Sequence, residues 1–301
     1  MPIRISITGD LGSGKTTVCG ELNRKYNMRI FSTGAIHRRI AAEMGMSAYD
    51  LNIYMETHPE IDQMIDGELI ELSNSAENIA IDSRMAWHFV ENTFNVFLIT
   101  DETVAAQRVV SDKRGPTEVY TGVHQAKELL KARKQSENYR YKDKYGVDCH
   151  DYRNYDLILD TTYISPDYAA ETVMYRYSLW EKEDKTPAFL ISPLCLYPTG
   201  IIRDTSLQTI DDYCSLILSD KPVQPIEIVV LDGIFYIYDG YNRATAFLKM
   251  KKPLVPCVMI AQNADIVVGN LTAAEYVQRE FTLDKAHDWE DLNGFKFLTY
   301  P

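Results

Sequence analysis

The sequence predicts an α/β protein with two domains: a parallel sheet with helices on both faces, followed by a smaller α+β domain. Up to about residue 180, apolar β-rich runs alternate with longer segments of helical spacing, as in a sheet whose parallel strands are joined by helices. A charged stretch that ends in proline then occupies residues 181–187 and is typical of a surface linker. The predicted domains are therefore residues 1–180 and residues 188–301.

The predicted elements follow from the period of the apolar residues. In the first domain, strands are expected at residues 3–8, 28–31, 79–82, 96–100 and 157–159, and helices at residues 16–27 and 121–144. In the second domain, strands are expected at residues 188–191, 226–231, 235–238 and 255–260, and helices at residues 207–218 and 242–250. Residues 284–291, which include Trp289, are expected to pack against one of the domains.

Composition narrows the function classes. The 301-residue chain is 46% hydrophobic and 25% charged, which is the balance of a globular protein. No run of eighteen apolar residues predicts a membrane span. The formal net charge of −12 argues against general nucleic-acid binding, because neutralising phosphates supplies most of that affinity. Five scattered cysteines, odd in number and without a CxxC pair, favour reduced thiols and a cytoplasmic protein.

The clearest motif follows the first strand, where residues 9–16 read GDLGSGKT and fit the pattern G-x-x-x-x-G-K-[ST]. A strand leads into this segment and an amphipathic helix leaves it, which is the context of a phosphate-binding loop. The glycines allow backbone amides to surround phosphates, Lys15 would reach the β- and γ-phosphates, and the Thr16 hydroxyl would bind Mg²⁺. The predicted ATP phosphate site comprises Gly9, Leu11, Gly12, Ser13, Gly14, Lys15, Thr16 and Thr17.

A basic segment supplies candidate groups for phosphoryl transfer. Residues 113–144 contain nine lysines and arginines against four acids, a local charge of +5 in an acidic protein. Arg133, Glu137 and Arg140 are spaced i, i+4, i+7 and so share one helical face. Two arginines on one face could bind a phosphate while the glutamate orients a guanidinium, although the same spacing also fits a solvated face with salt bridges.

The order of motifs in residues 3–175 resembles the cytidylate kinase family, in its compact archaeal-type branch. The matching segments read STGAIHR at residues 32–38, AEMGM at 42–46, HPEID at 58–62, ID at 65–66, IDSR at 81–84, YGVD at 145–148 and YDL at 155–157, together with the R-x3-E-x2-R-Y pattern at 133–141. The resemblance implies a P-loop nucleoside monophosphate kinase. His37 is expected on a helix surface.

The resemblance also implies a role for each group of candidate residues. The phosphate of a pyrimidine monophosphate is already ionised at neutral pH, so that catalysis reduces to alignment and charge neutralisation. The implied acceptor site comprises Ser32, Arg38, Arg84, Arg133, Glu137 and Arg140. Arg114, Arg133 and Arg140 would belong to or border a lid over the transferring phosphoryl group. The implied cofactors are ATP and Mg²⁺, and the partners are small nucleotides.

Asp82 separates two classes of kinase. At the end of its strand it could support Mg²⁺ or contact substrate, or it could be the general base for a hydroxyl acceptor such as free serine or a modified nucleoside. A capping aspartate is the simplest alternative. Catalytic candidates are thus Lys15, Asp82, Arg114, Arg133 and Arg140.

The second domain offers a candidate anion site where residues 238–247 read YDGYNRATAF, a strand end, a glycine turn and a helix start. Asp239, Gly240, Asn242 and Arg243 form this candidate site, which resembles the signature of the ParB/sulfiredoxin-like fold. That fold implies a phosphate-bearing ligand, with a structural salt bridge of Arg243 as the alternative. A nucleotide-gated module that binds DNA or protein through this domain is the remaining hypothesis for the whole chain.

Overall fold

The computed structural model describes residues 2–112, 120–182, 186–200 and 207–301. The chain forms two compact units, Met1–Pro187 and Ala188–Pro301. Residues 183–185 of the predicted linker lie outside the described residues. Within the described ranges, no helix has the length and apolar character that crossing a membrane requires.

A five-stranded parallel sheet forms the centre of the first unit, in the order β2-β3-β1-β4-β5. The strands are β1 Arg4–Gly9, β2 Arg29–Ser32, β3 Ile79–Asp82, β4 Phe94–Ile99 and β5 Leu157–Asp160. Consecutive residues of β3 and β5 are all buried, and because neighbouring side chains point to opposite faces, both faces of the sheet are covered. The predicted parallel sheet is confirmed, with every strand within two residues of its expected position.

Eight helices of the first unit lie within the described residues: α1 Lys15–Tyr26, α2 Thr33–Glu43, α3 Ala48–Tyr54, α4 Pro59–Glu71, α5 Ala86–Phe89, α6 Glu102–Ser111, α7 Val123–Tyr145 and α8 Pro166–Glu181. Helices α2 to α4 lie between β2 and β3 in the chain, and the long basic helix α7 lies between β4 and β5. Since the strands are parallel, the loops that follow β1, β3, β4 and β5 meet at one edge of the sheet, and the candidate site lies there.

The second unit contains a mixed sheet in the order β6-β10-β8-β9-β7. Its strands are β6 Ala188–Ile191, β7 Leu196–Pro198, β8 Ile226–Leu231, β9 Ile234–Asp239 and β10 Val255–Gln262, with a small ribbon of β11 Ile266–Val268 and β12 Leu271–Thr272. Strand β10 is antiparallel to β6 and parallel to β8. The helices are α9 Leu207–Leu218, α10 Tyr241–Lys249, α11 Ala273–Glu280 and α12 Leu283–Asn293.

The C-terminal residues complete the core of the second unit. Trp289 of α12 is fully buried, and its ring meets the edge of Tyr241 at a centroid distance of 5.6 Å. Glu290 is also fully buried and accepts hydrogen bonds from the Phe297 amide at 2.7 Å and the Tyr300 hydroxyl at 2.6 Å. The expected packing of residues 284–291 is therefore found, and Glu290 anchors the last turn of the chain.

Candidate active site

The phosphate loop joins β1 to α1 and has backbone angles that favour glycine. Gly9 has φ of 146° and Gly12 has φ of 80°. A Cβ on Gly12 would lie 2.9 Å from the Cα of Ala105, so a larger residue there would displace either the loop or α6. The Lys15 ammonium crosses the loop and donates to the carbonyl oxygens of Gly9 at 2.9 Å and Asp10 at 2.7 Å.

Lys15 is held in an environment that opposes its charge. Burial and the nearby Arg84 guanidinium lower the pKa of its ammonium to about 7, against the opposing effect of the Asp82 and Glu137 carboxylates. A multiply charged anion in the loop would remove this penalty, because it would supply the opposite charge that the ammonium lacks.

The carboxylate of Asp82 lies at the end of β3 beside the loop. Its Oδ2 accepts hydrogen bonds from the Thr16 hydroxyl at 2.8 Å and from the Ser32 hydroxyl at 3.2 Å. Asp82 is buried, whereas Thr16 is exposed at the start of α1. Two hydroxyls, from the start of α1 and the end of β2, thus donate to one oxygen of the carboxylate, which is more than the capping alternative requires.

Two of the predicted arginines converge on Glu137 of α7. Arg84 pairs with this carboxylate and also donates to the Gly9 carbonyl at 2.6 Å, while Arg133 Nε donates to Glu137 Oε1 at 2.8 Å. Although burial alone would raise the pKa of Glu137, Arg84 and Arg133 lower it to about 2. The i, i+4 spacing on α7 therefore produces a buried guanidinium–carboxylate cluster beside the phosphate loop, not a solvated face.

Arg140 belongs to the same helix but has different partners. Its Nη1 donates to the side-chain oxygen of Asn52 on α3 at 2.6 Å, and its Nε lies 3.6 Å from Asp62 Oδ2 on α4. The side chain is 7% exposed. Arg140 therefore faces α3 and α4 rather than the cluster around Glu137.

One cavity collects most of the predicted acceptor residues. Its lining includes Lys15, Thr16, Arg38, Asp82, Arg84, Arg133, Glu137 and Arg140. Ser32 adjoins it through its bond to Asp82. Arg114 lies outside the described residues. The expectation for His37 was wrong: this histidine is 9% exposed and lines the cavity, because the face of α2 that carries it is covered by other residues of the unit rather than by solvent.

An ion pair joins α7 to the phosphate loop at a second point. Lys134 Nζ lies 2.9 Å from Asp10 Oδ1, and His150 Nε2 lies 3.2 Å from the same oxygen. Burial alone would raise the pKa of Asp10, but Lys134 and His150 keep it well below its usual range. The helix that carries Arg133 and Glu137 is thereby held in register with the loop.

Sequence reasoning missed a groove on the other side of the loop. Arg108 of α6 lines it and donates to the Thr161 carbonyl at 2.6 Å. Other lining residues are Gly12, Ser13, Gly14, Thr17, Ile164 and Pro166. Burial lowers the pKa of Arg108. Thr161 and Thr162 could have indicated this groove, because they follow β5 at the edge of the sheet where ligands of parallel α/β folds bind.

In the second unit, Arg243 is engaged in contacts within the unit. Its guanidinium pairs with Asp239 and donates to the Pro225 carbonyl, and the residue is 8% exposed. Gly240, with φ of 112°, gives the turn before α10, and a Cβ there would lie 3.0 Å from Arg243 Nε. The positive charge is thus largely satisfied within the unit.

Comparison with known proteins places the first unit. A family profile described as "AAA domain" matches residues 5–129. The cytidylate kinase of Thermoplasma volcanium is 34% identical over 193 residues, which are 62% of this chain and 98% of that protein. The cytidylate kinase of Methanocella arvoryzae is 35% identical over 158 residues, 52% of this chain and 87% of that protein.

Another relative, whose name describes a different activity, matches a similar share of this chain. An S-adenosylmethionine-dependent nucleotide dehydratase of Lacinutrix mariniflava is 29% identical over 189 residues, which are 62% of this chain but only 38% of that protein. The near-complete coverage of the cytidylate kinases, together with the loop, Lys15 and the arginine cluster, decides the assignment. The chain belongs to the cytidylate kinase family and is an ATP-dependent P-loop kinase.

Proposed function

We propose that the protein transfers the γ-phosphoryl group of ATP, with Mg²⁺, to a pyrimidine nucleoside monophosphate, CMP or dCMP. One observation carries the proposal: a single cavity holds Lys15 of the phosphate loop and, facing it, Arg84 and Arg133 on Glu137. Three cations beside one buried carboxylate are suited to two polyanionic substrates brought together out of water. The cytidylate kinases among its relatives support the choice of base.

The donor would occupy the loop and the groove behind it. The loop amides and the start of α1 would hold the phosphates, with Lys15 at the γ-phosphate end. The adjoining groove, with Arg108 and Thr161, is the space into which the ribose and base of the donor can extend. The phosphates of the donor and its ribose and base would then lie on one continuous surface from Lys15 to Arg108.

Thr16 and Asp82 have the chemistry of a magnesium site. Their oxygens are 2.8 Å apart beside the loop, and hydroxyl and carboxylate oxygens, direct or through water, suit this hard cation. The bound ion would neutralise charge on the β- and γ-phosphates. Ser32 then has a positioning role, since its hydroxyl donates to the same Asp82 oxygen.

The acceptor phosphate would lie between Arg38, Arg84 and Arg133. No general base is needed, because a phosphate monoester is ionised at neutral pH, and the arginines lower the repulsion between two anions. Glu137 keeps Arg84 and Arg133 oriented in the absence of substrate. Arg114 remains a candidate for the lid, and Arg140 lines the same cavity next to α3 and α4.

The proposal is tested by ADP release with ATP and Mg²⁺ over an acceptor panel of CMP, dCMP, UMP, AMP, cytidine and serine, with Lys15→Ala as the blank. Turnover that depends on Lys15 and is confined to CMP or dCMP supports it. Silence on every monophosphate contradicts it.

Asp82→Asn in the same assay addresses the hydroxyl-kinase alternative. A general base that removes a hydroxyl proton would be lost, and turnover on serine or a nucleoside would disappear. The two hydroxyls that already donate to Asp82 favour a role in holding Thr16 and the ion instead. A nucleotide-gated binding module would show ATP-dependent capture of DNA or protein without turnover.

For the second unit, the sequence resemblance to the ParB/sulfiredoxin-like fold supports a phosphate-bearing ligand near Asp239, Gly240 and Asn242. The engaged state of Arg243 limits its part to shaping the turn. The free thiols of all five cysteines agree with the proposed cytoplasmic location.

A further inference from the structure

A short turn between β3 and α5 carries Arg84 from the sheet to the candidate active site. The register of β3 with β1 ends where Asp82 lies opposite Ile7, so the turn places Arg84 and sheet pairing does not. The Arg84 side chain is 15% exposed, and its guanidinium contacts the Gly9 carbonyl and Glu137. Because a displacement of about 1 Å can cost about 100-fold in rate, the backbone that carries this guanidinium matters for the chemistry.

Ser83 fixes the backbone on the N-terminal side of Arg84. Ser83 is 3% exposed, its amide donates to the Ile7 carbonyl at 3.3 Å, and its carbonyl oxygen accepts from the Thr8 hydroxyl at 2.9 Å. The hydroxyl oxygen of Ser83 accepts from the Met85 amide at 3.2 Å, across Arg84. All three polar groups of Ser83 are therefore bonded, and the residues on both sides of Arg84 are joined to each other.

Trp87 fixes the backbone on the C-terminal side. Its indole Nε1 donates to the Arg84 carbonyl oxygen at 2.9 Å. The indole ring meets the edge of Tyr155 at a centroid distance of 5.7 Å, and Tyr155 is buried with its hydroxyl donating to the Cys149 carbonyl at 2.8 Å. The donor to Arg84 thus comes from an aromatic side chain that is anchored in the hydrophobic core of the first unit.

We propose that Ser83 and Trp87 are positioning residues for phosphoryl transfer, which hold the backbone around Arg84 so that its guanidinium meets the acceptor phosphate. The Ser83 hydroxyl and the Trp87 indole both bond to backbone groups, and they act on the substrate through Arg84. Thr8, which donates to Ser83, directly precedes the phosphate loop, so the turn also sets Arg84 relative to the donor. This inference rests on the proposed function and adds two residues to it.

Ser83→Ala and Trp87→Phe test the proposal from the two sides of the turn. Ser83→Ala leaves the buried Met85 amide without its acceptor. Trp87→Phe removes the indole donor to Arg84 and keeps an aromatic ring in its place. Each substitution should lower kcat/KM for CMP about tenfold at saturating ATP, because the guanidinium is no longer held in one position.

Ser6→Ala is the matched control. Ser6 of β1 is fully buried, and its hydroxyl donates to Asn95 Oδ1 at 2.8 Å outside the cavity. This substitution also removes a buried hydroxyl from the sheet, but kcat/KM for CMP should stay within about twofold of that of the unmodified protein.

The decisive measurement repeats Ser83→Ala in an Arg84→Gln background. A residue that acts through Arg84 has little left to disturb once the guanidinium is gone, so the tenfold loss should shrink to less than about twofold. A general loosening of the cavity would lower kcat/KM by the same factor in both backgrounds, and that result overturns the proposal. An unchanged kcat/KM in folded Ser83→Ala and Trp87→Phe also overturns it.

A second readout does not depend on turnover. Burial raises the pKa of Glu137, and Arg84 is the first of the charges that lower it, to about 2. If the turn fixes the guanidinium, Ser83→Ala and Trp87→Phe should raise this pKa and Ser6→Ala should not, as measured by NMR titration of the Glu137 carboxyl carbon. A pKa that moves in none of the three variants overturns the proposal. A failure of the proposed function is distinct, since every monophosphate would then be inert while the pKa of Glu137 still responds.

Discussion

Arg84 donates a hydrogen bond of 2.6 Å to the carbonyl oxygen of Gly9, the first residue of the phosphate loop. Lys15 donates to the same oxygen at 2.9 Å. The two cations share one acceptor in the ligand-free protein, and their repulsion contributes to the low pKa of Lys15. A bound triphosphate would supply Lys15 with anionic partners. The group expected to bind the acceptor and the group expected to bind the donor are thus coupled before either substrate is present.

This coupling predicts proton uptake on ATP binding. The pKa of Lys15 is about 7 in the free protein, so above that pH the ammonium is largely neutral. A triphosphate stabilises the charged form and raises the pKa, and binding at pH 8 should take up close to one proton at Lys15. Calorimetric titrations with a non-hydrolysable ATP analogue, in buffers of different ionisation enthalpy, measure this uptake.

The same titration at pH 6 is the internal control, since Lys15 is already protonated there and its contribution should vanish. Equal proton uptake at pH 6 and pH 8 would show that Lys15 is not the coupled group.

Glycine is required at position 12 of the phosphate loop but not at position 20 of α1. Gly12→Ala would force a Cβ to 2.9 Å from the Cα of Ala105 at a φ of 80°, and we expect a lower Tm and loss of ATP binding. A methyl group added at Gly20 would meet nothing within 4 Å, and Gly20→Ala should stabilise α1 by about 1 kcal/mol. Thermal melts with and without ATP measure both. Intact ATP binding in Gly12→Ala would show that the loop does not require glycine at position 12.

Glu137 should make the free energy of unfolding depend on pH in the acidic range. Its pKa is lowered from 4.5 to about 2, so its stabilising effect is fully present above pH 4.5 and is lost as the pH falls toward 2. At pH 7, Glu137→Gln should cost about 3 kcal/mol of unfolding free energy, because Arg84 and Arg133 lose their buried partner. The difference from the unmodified protein should shrink between pH 5 and pH 3 in chemical denaturation.

Glu128→Gln on the same helix is the control for that measurement, since the Glu128 side chain is 70% exposed. Its effect should stay within about 0.5 kcal/mol at every pH. A difference for Glu137→Gln that does not change with pH would mean that its carboxylate is not the source of the stabilisation.

Arg84, which follows β3, should matter more for the acceptor than Arg29, an arginine of β2 that lies outside the cavity. We expect Arg84→Gln to lower kcat/KM for the acceptor by about 100-fold or more, because a charge that opposes phosphate repulsion is lost. Arg29→Gln removes an exposed pair between Arg29 and Glu77 and should change kcat/KM less than twofold. Steady-state kinetics at saturating ATP compare the two. Similar effects of both substitutions would remove Arg84 from the acceptor site.

The sequence was informative where structure depends on local pattern. The loop after β1 follows from glycines, Lys15 and flanking periodicity, and the meeting of Arg133 with Glu137 follows from helical spacing. The parallel arrangement of the sheet follows from alternation of strand and helix. Each of these needs only residues close together in the chain.

Contacts between segments that are far apart in the sequence could not be predicted from such local patterns. Asn52 and Arg140 are 88 residues apart in the sequence, and Arg108 and Thr161 are 53 apart. No sequence spacing therefore predicts either contact. Asp62 lies in a segment that resembles the family, but its contact with Arg140 depends on the orientation of α4 against α7. The surface assignment of His37 failed for the same reason.

In the second unit, the start of α11 carries a recognisable sequence signal. Residues 272–275 read TAAE, and Thr272 and Glu275 form a capping box at the start of α11. Strand β7 has only three residues and pairs with β9, nearly forty residues later, which is too short and too distant for periodicity to predict.

Lys15 and the arginine cluster are expected to move a phosphoryl group from ATP to CMP rather than to water. Incubation with ATP labelled in its γ-phosphate, Mg²⁺ and CMP, followed by separation of the nucleotides, tests it directly. We predict label in CDP, formed one for one with ADP and absent with Lys15→Ala. Label that appears only in inorganic phosphate, at a rate independent of CMP, would contradict it.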